Sequence, residues 1–225
     1  MSSPTSTRLG RDIRTHIPAA DGIDAIVMLD DADDAVWQRA APHLAVRNND
    51  SHTLYAYGLA RALLSRIPRA DGAVVRPAIL LHDTGWSTVP QEQILEAIAP
   101  GGGRPDLIRR HEIEGARIAR DVLGDLGREA SVIDRVAEII DGHDSRDQAL
   151  SIEDAIVKDA DKLWRVTPHG IRIVCGWFDL GPEESLRLCA SRVDAALFTE
   201  EARAIARGLI AAAAIDHAPQ RAGLV

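Results

Sequence analysis

The chain is poor in the features that mark several large classes of protein. It has two cysteines, Cys175 and Cys189, without a paired spacing. That removes support for a disulfide framework or a thiolate zinc site, and both read as small buried hydrophobes. No apolar run approaches the roughly 18 residues that a membrane-spanning helix needs; the longest, around 208–215, is too short, so no membrane is expected as a partner. There is no dense Lys/Arg block either. Twenty-six basic residues face 34 acidic ones for a formal charge of −8, which argues against long nucleic acid as a partner. Strand-like alternation is rare and short, so an all-α protein is expected.

What is present is a helical pattern. Hydrophobic residues make up 46% of 225 positions, enough for a substantial single core. The expected division is a flexible N-terminal segment at 1–20, one helical domain at 21–217 and a C-terminal tail at 218–225, with the cytoplasm as the default location. Helices are expected over 33–46, from the caps Asn48 to Ser51 to before Pro68, over 73–83 with an irregular first turn at Pro77, and from Pro90 to before Pro100. More follow at 106–123, 128–141 and 151–165, the last with Ser151 and Asp154 at capping-box spacing. Two packing helices are expected at 183–197 and 200–215. Gly85 reads as a helix terminator.

Four histidines stand on, or at the end of, apolar stripes. His52 aligns with Ala56, Leu59 and Leu63, and His111 with Gly115, Ile118 and Val122. His143 looks back to Ile139 and Val136, while His82 closes the run Val75, Ile79, Leu81. Any one alone reads as an ordinary core or helix-end histidine. Four inward imidazoles beside a carboxylate, Asp83, are costly to bury unless something shared satisfies them. A divalent metal does so by accepting neutral nitrogen and ionised oxygen together. The steps from His52 to His82, His111 and His143 are 30, 29 and 32 residues, each about one helix and a loop.

His52, the pair His82-Asp83, His111, His143 and a late Asp in Val-Lys-Asp-Ala-Asp-Lys-Leu-Trp resemble, in order, the ligand series of the HD-domain superfamily of helical metalloproteins. The resemblance covers about 50–165. It implies an HD-type helical bundle with additional C-terminal helices. It also implies metal ligation by His52, His82, Asp83 and a late Asp, with Asp83 bridging to a second metal held by His111 and His143. For the late Asp, helical periodicity favours Asp159, whereas the superfamily's Ala-Asp-basic-Leu pattern matches Asp161, which is preferred.

The resemblance further implies two divalent or mixed-valent metal ions, iron, manganese or similar, and a small phosphorylated substrate. The leading expectation is metal-dependent hydrolysis of a phosphate ester of a nucleotide or other small molecule, with Asp83, His82 and Lys162 in the catalytic set. The spacing from His143 to Asp161 is also similar to a branch acting on dinucleoside polyphosphates, although that branch's His-Thr is here His143-Asp144-Ser145. Lys162, Arg165 and Arg172, then Arg146, are the candidate phosphate contacts. Trp86, Trp164, Trp177 and Phe178 are candidates for an aromatic wall. Trp86 stands where a frequent His-Asp-x-Gly-Lys pattern has Lys. The alternative is a mixed-valent di-iron oxygenase cleaving a C–P or C–C bond; 41–51 lacks the Tyr and Glu lid of its phosphonate-cleaving members. A non-catalytic helical module is the third reading, and a homo-oligomer is left open.

Overall fold

A computed structural model of the protein describes residues 10–23, 26 and 29–216. Among them are ten α-helices and four short 3-10 helices, and no strand. The helices are α1 (Asp31–Ala40), α2 (Asn49–Leu64), α3 (Gly72–Leu81), α4 (Gln91–Ile98), α5 (Pro105–Asp125), α6 (Ala130–Ile140), α7 (Ile152–Trp164), α8 (Pro168–Phe178), α9 (Pro182–Ala196) and α10 (Glu200–Asp216). The first nine residues of the expected N-terminal segment and the whole tail at 218–225 lie outside the described residues.

Local chemistry explains where the helices depart from expectation. Helix α1 stops at Ala40 and passes into a 3-10 turn, Ala41–His43, because Pro42 cannot continue the ladder. The expected caps of α2 do not cap it. Asn48 is left-handed with φ 59° and makes no side-chain cap bond, while the Ser51 hydroxyl donates to the Asn48 carbonyl instead. Ser151 accepts the Asp154 amide at 3.2 Å, but the Asp154 carboxylate turns to the Leu150 amide and to Arg146, so the capping box is only half formed.

Helix α8 is absent from the sequence expectation. Its start signal was legible: Thr167 accepts the Gly170 amide at 3.0 Å and Pro168 takes the first position, a common N-terminal pair. Gly170 is required because a Cβ there would meet the Trp164 carbonyl oxygen at 2.1 Å.

Helix α3 sits at the centre, its apolar residues from Val74 to Leu81 fully buried, and packs on α1, α2, α6 and α7. One continuous buried cluster runs from Val36 to Ala206 and includes residues of every helix except α4. Helix α4 covers a smaller cluster of Trp86, Val89, Ile94, Ala97 and Leu107. Helices α8 and α9 pack on each other, and α10 returns onto α7.

Candidate metal centre

Five elements deliver the four histidines and their carboxylates to one point. His52 comes from the first turn of α2, His82 and Asp83 from the C-terminus of α3, and His111 from the middle of α5. His143 comes from the turn after α6, and Asp161 from α7. His143 is thus beyond the helix whose stripe it was expected to continue, with its ring held by Nδ1 at 2.9 Å from the Ile140 carbonyl. His82 is fixed in the same way, Nδ1 at 2.8 Å from the Ile79 carbonyl. In both, the carbonyl takes the Nδ1 proton and aims the Nε2 lone pair inward.

The donor atoms form two quartets that share Asp83. In the first, His52 Nε2 lies 3.1 Å from His82 Nε2, 3.4 Å from Asp83 Oδ2 and 3.3 Å from Asp161 Oδ1. In the second, His111 Nε2 lies 3.4 Å from His143 Nε2 and 3.4 Å from Asp144 Oδ2, and Asp83 Oδ1 is 4.0 Å and 3.7 Å from the two imidazoles. Donors bound about 2.0–2.2 Å from one tetrahedral ion lie roughly 3.3–3.6 Å from each other; the spacings of 3.3–3.4 Å fall in that range, and those of 3.1, 3.7 and 4.0 Å lie within about 0.4 Å of it. The chemistry of the set fits as well. Pairs of imidazole Nε2 atoms facing each other at 3.1 and 3.4 Å, with His52 Nδ1 and His111 Nδ1 buried and unpartnered, are the donor arrangement a cation between them would satisfy.

The electrostatics point the same way. Burial pushes the Asp83 carboxyl up, but His82, His143, His52 and Arg47 override this and hold it well below the usual range. Asp161 is likewise raised by burial and pulled well below by Arg165 and His52. Burial, reinforced by His143, lowers His111 to about 4. His143 goes to about 9, because Asp144 and Asp83 outweigh its burial. A proton on His143 occupies the place where a metal would supply positive charge.

A family model for the HD domain matches residues 49–165. The chain belongs to the HD-domain family. No curated protein and no solved structure matches it. The family is one of metal-dependent enzymes of phosphohydrolase type and binds divalent metals. All the His and Asp residues of the HD series named above converge here: His52, His82, Asp83, His111, His143 and Asp161.

Asp159, the competitor for the last position of the HD series, is elsewhere. It accepts the Phe198 and Thr199 amides at 2.7 and 2.9 Å and the Thr199 hydroxyl at 2.7 Å, so it fastens the start of α10 to α7. Both aspartates are buried; their faces of α7 differ.

Several expected substrate contacts stand away from the centre. Lys162 shares the face of Lys158 and Asp159, one residue's rotation from Asp161, and sits 5.7 Å over the Phe198 ring. Arg172 is exposed, with its guanidinium on the Pro168 carbonyl at 3.4 Å. Arg146 holds Asp154 at 3.0 Å and the Asp141 carbonyl at 2.8 Å. Trp86 is buried: it stacks on His111 with centroids 3.9 Å apart, and its indole N–H donates to Asp83 Oδ1 at 3.1 Å. It orients ligands and does not face the cleft.

The small cleft in front of the HD centre has about 300 Å³ of empty space, open solvent included. Asp83, Asp144, Asp161 and His52 line it together with Arg47, Arg165, Trp164, Trp177 and Ile98. Arg47 was missed by the sequence reading. Its guanidinium is 3.5 Å from Asp83 Oδ2 and lies between the Trp86 and Trp177 rings at 5.4 and 4.9 Å. Arg47 and Asn48 are consecutive left-handed residues at φ 52° and 59°, a conformation non-glycine residues rarely hold without surrounding support.

Asp144 was also missed as a donor, although its place after His143 was the available signal. Two buried groups set its loop. Glu112 accepts the Asp144 and Ser145 amides at 2.9 and 2.7 Å. The Lys158 ammonium, 1% exposed, donates to the Gly142, His143 and Arg146 carbonyls, each at 2.9 Å.

Proposed function

We propose that the protein is a metal-dependent phosphohydrolase that cleaves a phosphate ester of a nucleotide or other small molecule. The observation that carries this reading is that two donor quartets sharing Asp83 border one cleft, into which His52, Asp83, Asp144 and Asp161 open together with two guanidiniums, Arg47 and Arg165. Two divalent ions in such a donor set supply Lewis acidity toward phosphoryl oxygen and a water acidified enough to attack phosphorus.

The chain's own residues account for the remaining needs. Asp83 offers one oxygen to each quartet, and the indole of Trp86 and the guanidinium of Arg47 hold its two oxygens. Asp161 and Asp144 close the two quartets, one terminal carboxylate each. Arg47 and Arg165 present planar, permanently charged donors to the non-bridging oxygens of a phosphoryl group. Arg165 was among the contacts expected from the sequence, and Arg47 takes the role given there to Lys162 and Arg172. Trp164 and Trp177 narrow the entrance and limit water around the reacting group.

The test is one sample measured twice. The full chain is loaded with manganese or with iron, screened for phosphate release from phosphomonoesters and phosphodiesters, and followed for oxygen consumption. Phosphate release without oxygen uptake is the expected result. Oxygen uptake by the iron-loaded protein with no phosphate release would replace hydrolysis by the di-iron oxygenase reading. Silence in both assays would leave a non-catalytic module.

A further inference from the structure

Beside the metal cleft lies a second hollow, partly open to solvent, with about 470 Å³ of empty space, open solvent included, and the two share Arg47, Ile98, Arg165 and Trp177 as common walls. Beyond that junction the chamber is built from Pro100 and from Val174, Phe178 and Leu188 of α8 and α9. Its composition differs sharply from that of the metal cleft. No Ser, Thr, Asn, Gln, Asp or Glu side chain lines it, so no neutral amide or hydroxyl is available to pair with a polar ligand edge. Cys189 and the Arg192 guanidinium complete the lining.

We infer that this chamber receives the organic half of the substrate, and that this half is an apolar alkyl or aryl group on a phosphate ester, not a nucleobase or a cationic headgroup. The inference rests on the phosphohydrolase reading and narrows it. The phosphate belongs at the junction, where Arg47 and Arg165 stand next to Asp83 and Asp161. Whatever is esterified to it then extends along Trp177 toward Phe178 and Leu188. A nucleobase carries N–H donors for which these side chains offer no oxygen acceptor, so those donors would leave water unpaired. An alkyl or aryl group loses nothing there and gains from apolar burial. A tail ending in an ammonium would meet Arg192 and the two junction arginines, all of its own sign.

The experiment uses the full chain loaded with manganese. Anaerobic calorimetry compares methylphosphonate with 1-naphthylmethylphosphonate, neither of which can be hydrolysed at its P–C bond. Phosphate-release kinetics compare 1-naphthyl phosphate with AMP and phosphocholine. The naphthyl tail is expected to tighten binding at least tenfold, and kcat/KM for 1-naphthyl phosphate to exceed that for AMP and phosphocholine at least tenfold. Leu188→Trp, which fills the chamber, should erase the preference for the tail while changing methylphosphonate affinity less than twofold. Equal affinity for the two phosphonates, AMP as the better substrate, or a folded Leu188→Trp protein with unchanged tail preference would each overturn the inference. Should that variant fail to fold, the comparisons on the unmodified protein decide. Tail-dependent phosphonate binding with no phosphate release from any ester supports the chamber and overturns hydrolysis.

Discussion

Asp83 serves two groups of ligands through its two oxygens: Oδ2 faces His52 and His82, and Oδ1 faces His111 and His143. Asp83→Ala should therefore empty both metal positions and abolish turnover, read by elemental analysis and activity together. Near-normal metal content would refute the shared role. Trp86→Phe keeps a ring against His111 but removes the N–H that Asp83 accepts. Partners of this outer kind are worth about 10–100-fold in metal affinity, so competition with a chelator should show a loss in that range. Asp161→Ala and Asp159→Ala should separate cleanly. The first should lower metal content and, since Arg165 and His52 lose the carboxylate they hold ionised, also lower the melting temperature of the metal-free chain at neutral pH. The second leaves the Phe198 and Thr199 donors unpaired and should cost on the order of 2 kcal/mol with metal content retained. At this scale the sequence was informative for residues that carry their own signal, such as an imidazole on an apolar stripe. It was weak for α7, where Asp159 and Asp161 are both buried and periodicity alone favoured the wrong neighbour for ligation geometry.

The elements matter through how closely they approach. The expected helix terminator Gly85 is inside a 3-10 turn, Thr84–Thr88, pressed on α5. A Cβ there would sit 1.8 Å from the His111 carbonyl oxygen and 2.6 Å from the Gly115 amide. Gly85→Ala must therefore push α5 away and carry His111 with it. A destabilisation of roughly 3 kcal/mol, the upper end for overpacking, is expected in chemical denaturation, with loss of one metal before the other. A folded Gly85→Ala protein with full metal content would contradict this. The glycine was legible as a chain break, but its real cause is a long-range contact between segments about a helix apart. Helix α8 was not assigned from the sequence, and its Gly170 makes room for the Trp164 carbonyl.

For the whole molecule, the centre is held by helices whose apolar faces pack at α3, and three carboxylates and four imidazoles converge where they meet. Metal present at about 100 times its dissociation constant adds about 2.7 kcal/mol to stability, and one kcal/mol shifts the melting temperature of a chain this size by about 2–4 °C. Removing metal with a chelator should lower the melting temperature by about 5–10 °C per site occupied, and restoring manganese should reverse it. No change on chelation would show that these donors hold no metal in solution. No described helix is long and apolar enough to cross a membrane, in line with the short apolar runs of the sequence.

The sequence by itself determined the all-α class, because a period of about 3.6 residues is a local property, and its ordered His and Asp residues carried the resemblance to the HD family. Only the tertiary structure decided which cations and which aspartate reach the centre. Arg47, five residues before His52, gets there through two left-handed residues and a seat between two indoles, whereas Lys162, adjacent to Asp161, is turned away by one step of helical rotation. The chamber beyond Trp177 is likewise a product of packing: α8 and α9 supply its side chains, and their place against the centre is fixed by contacts distant in the chain.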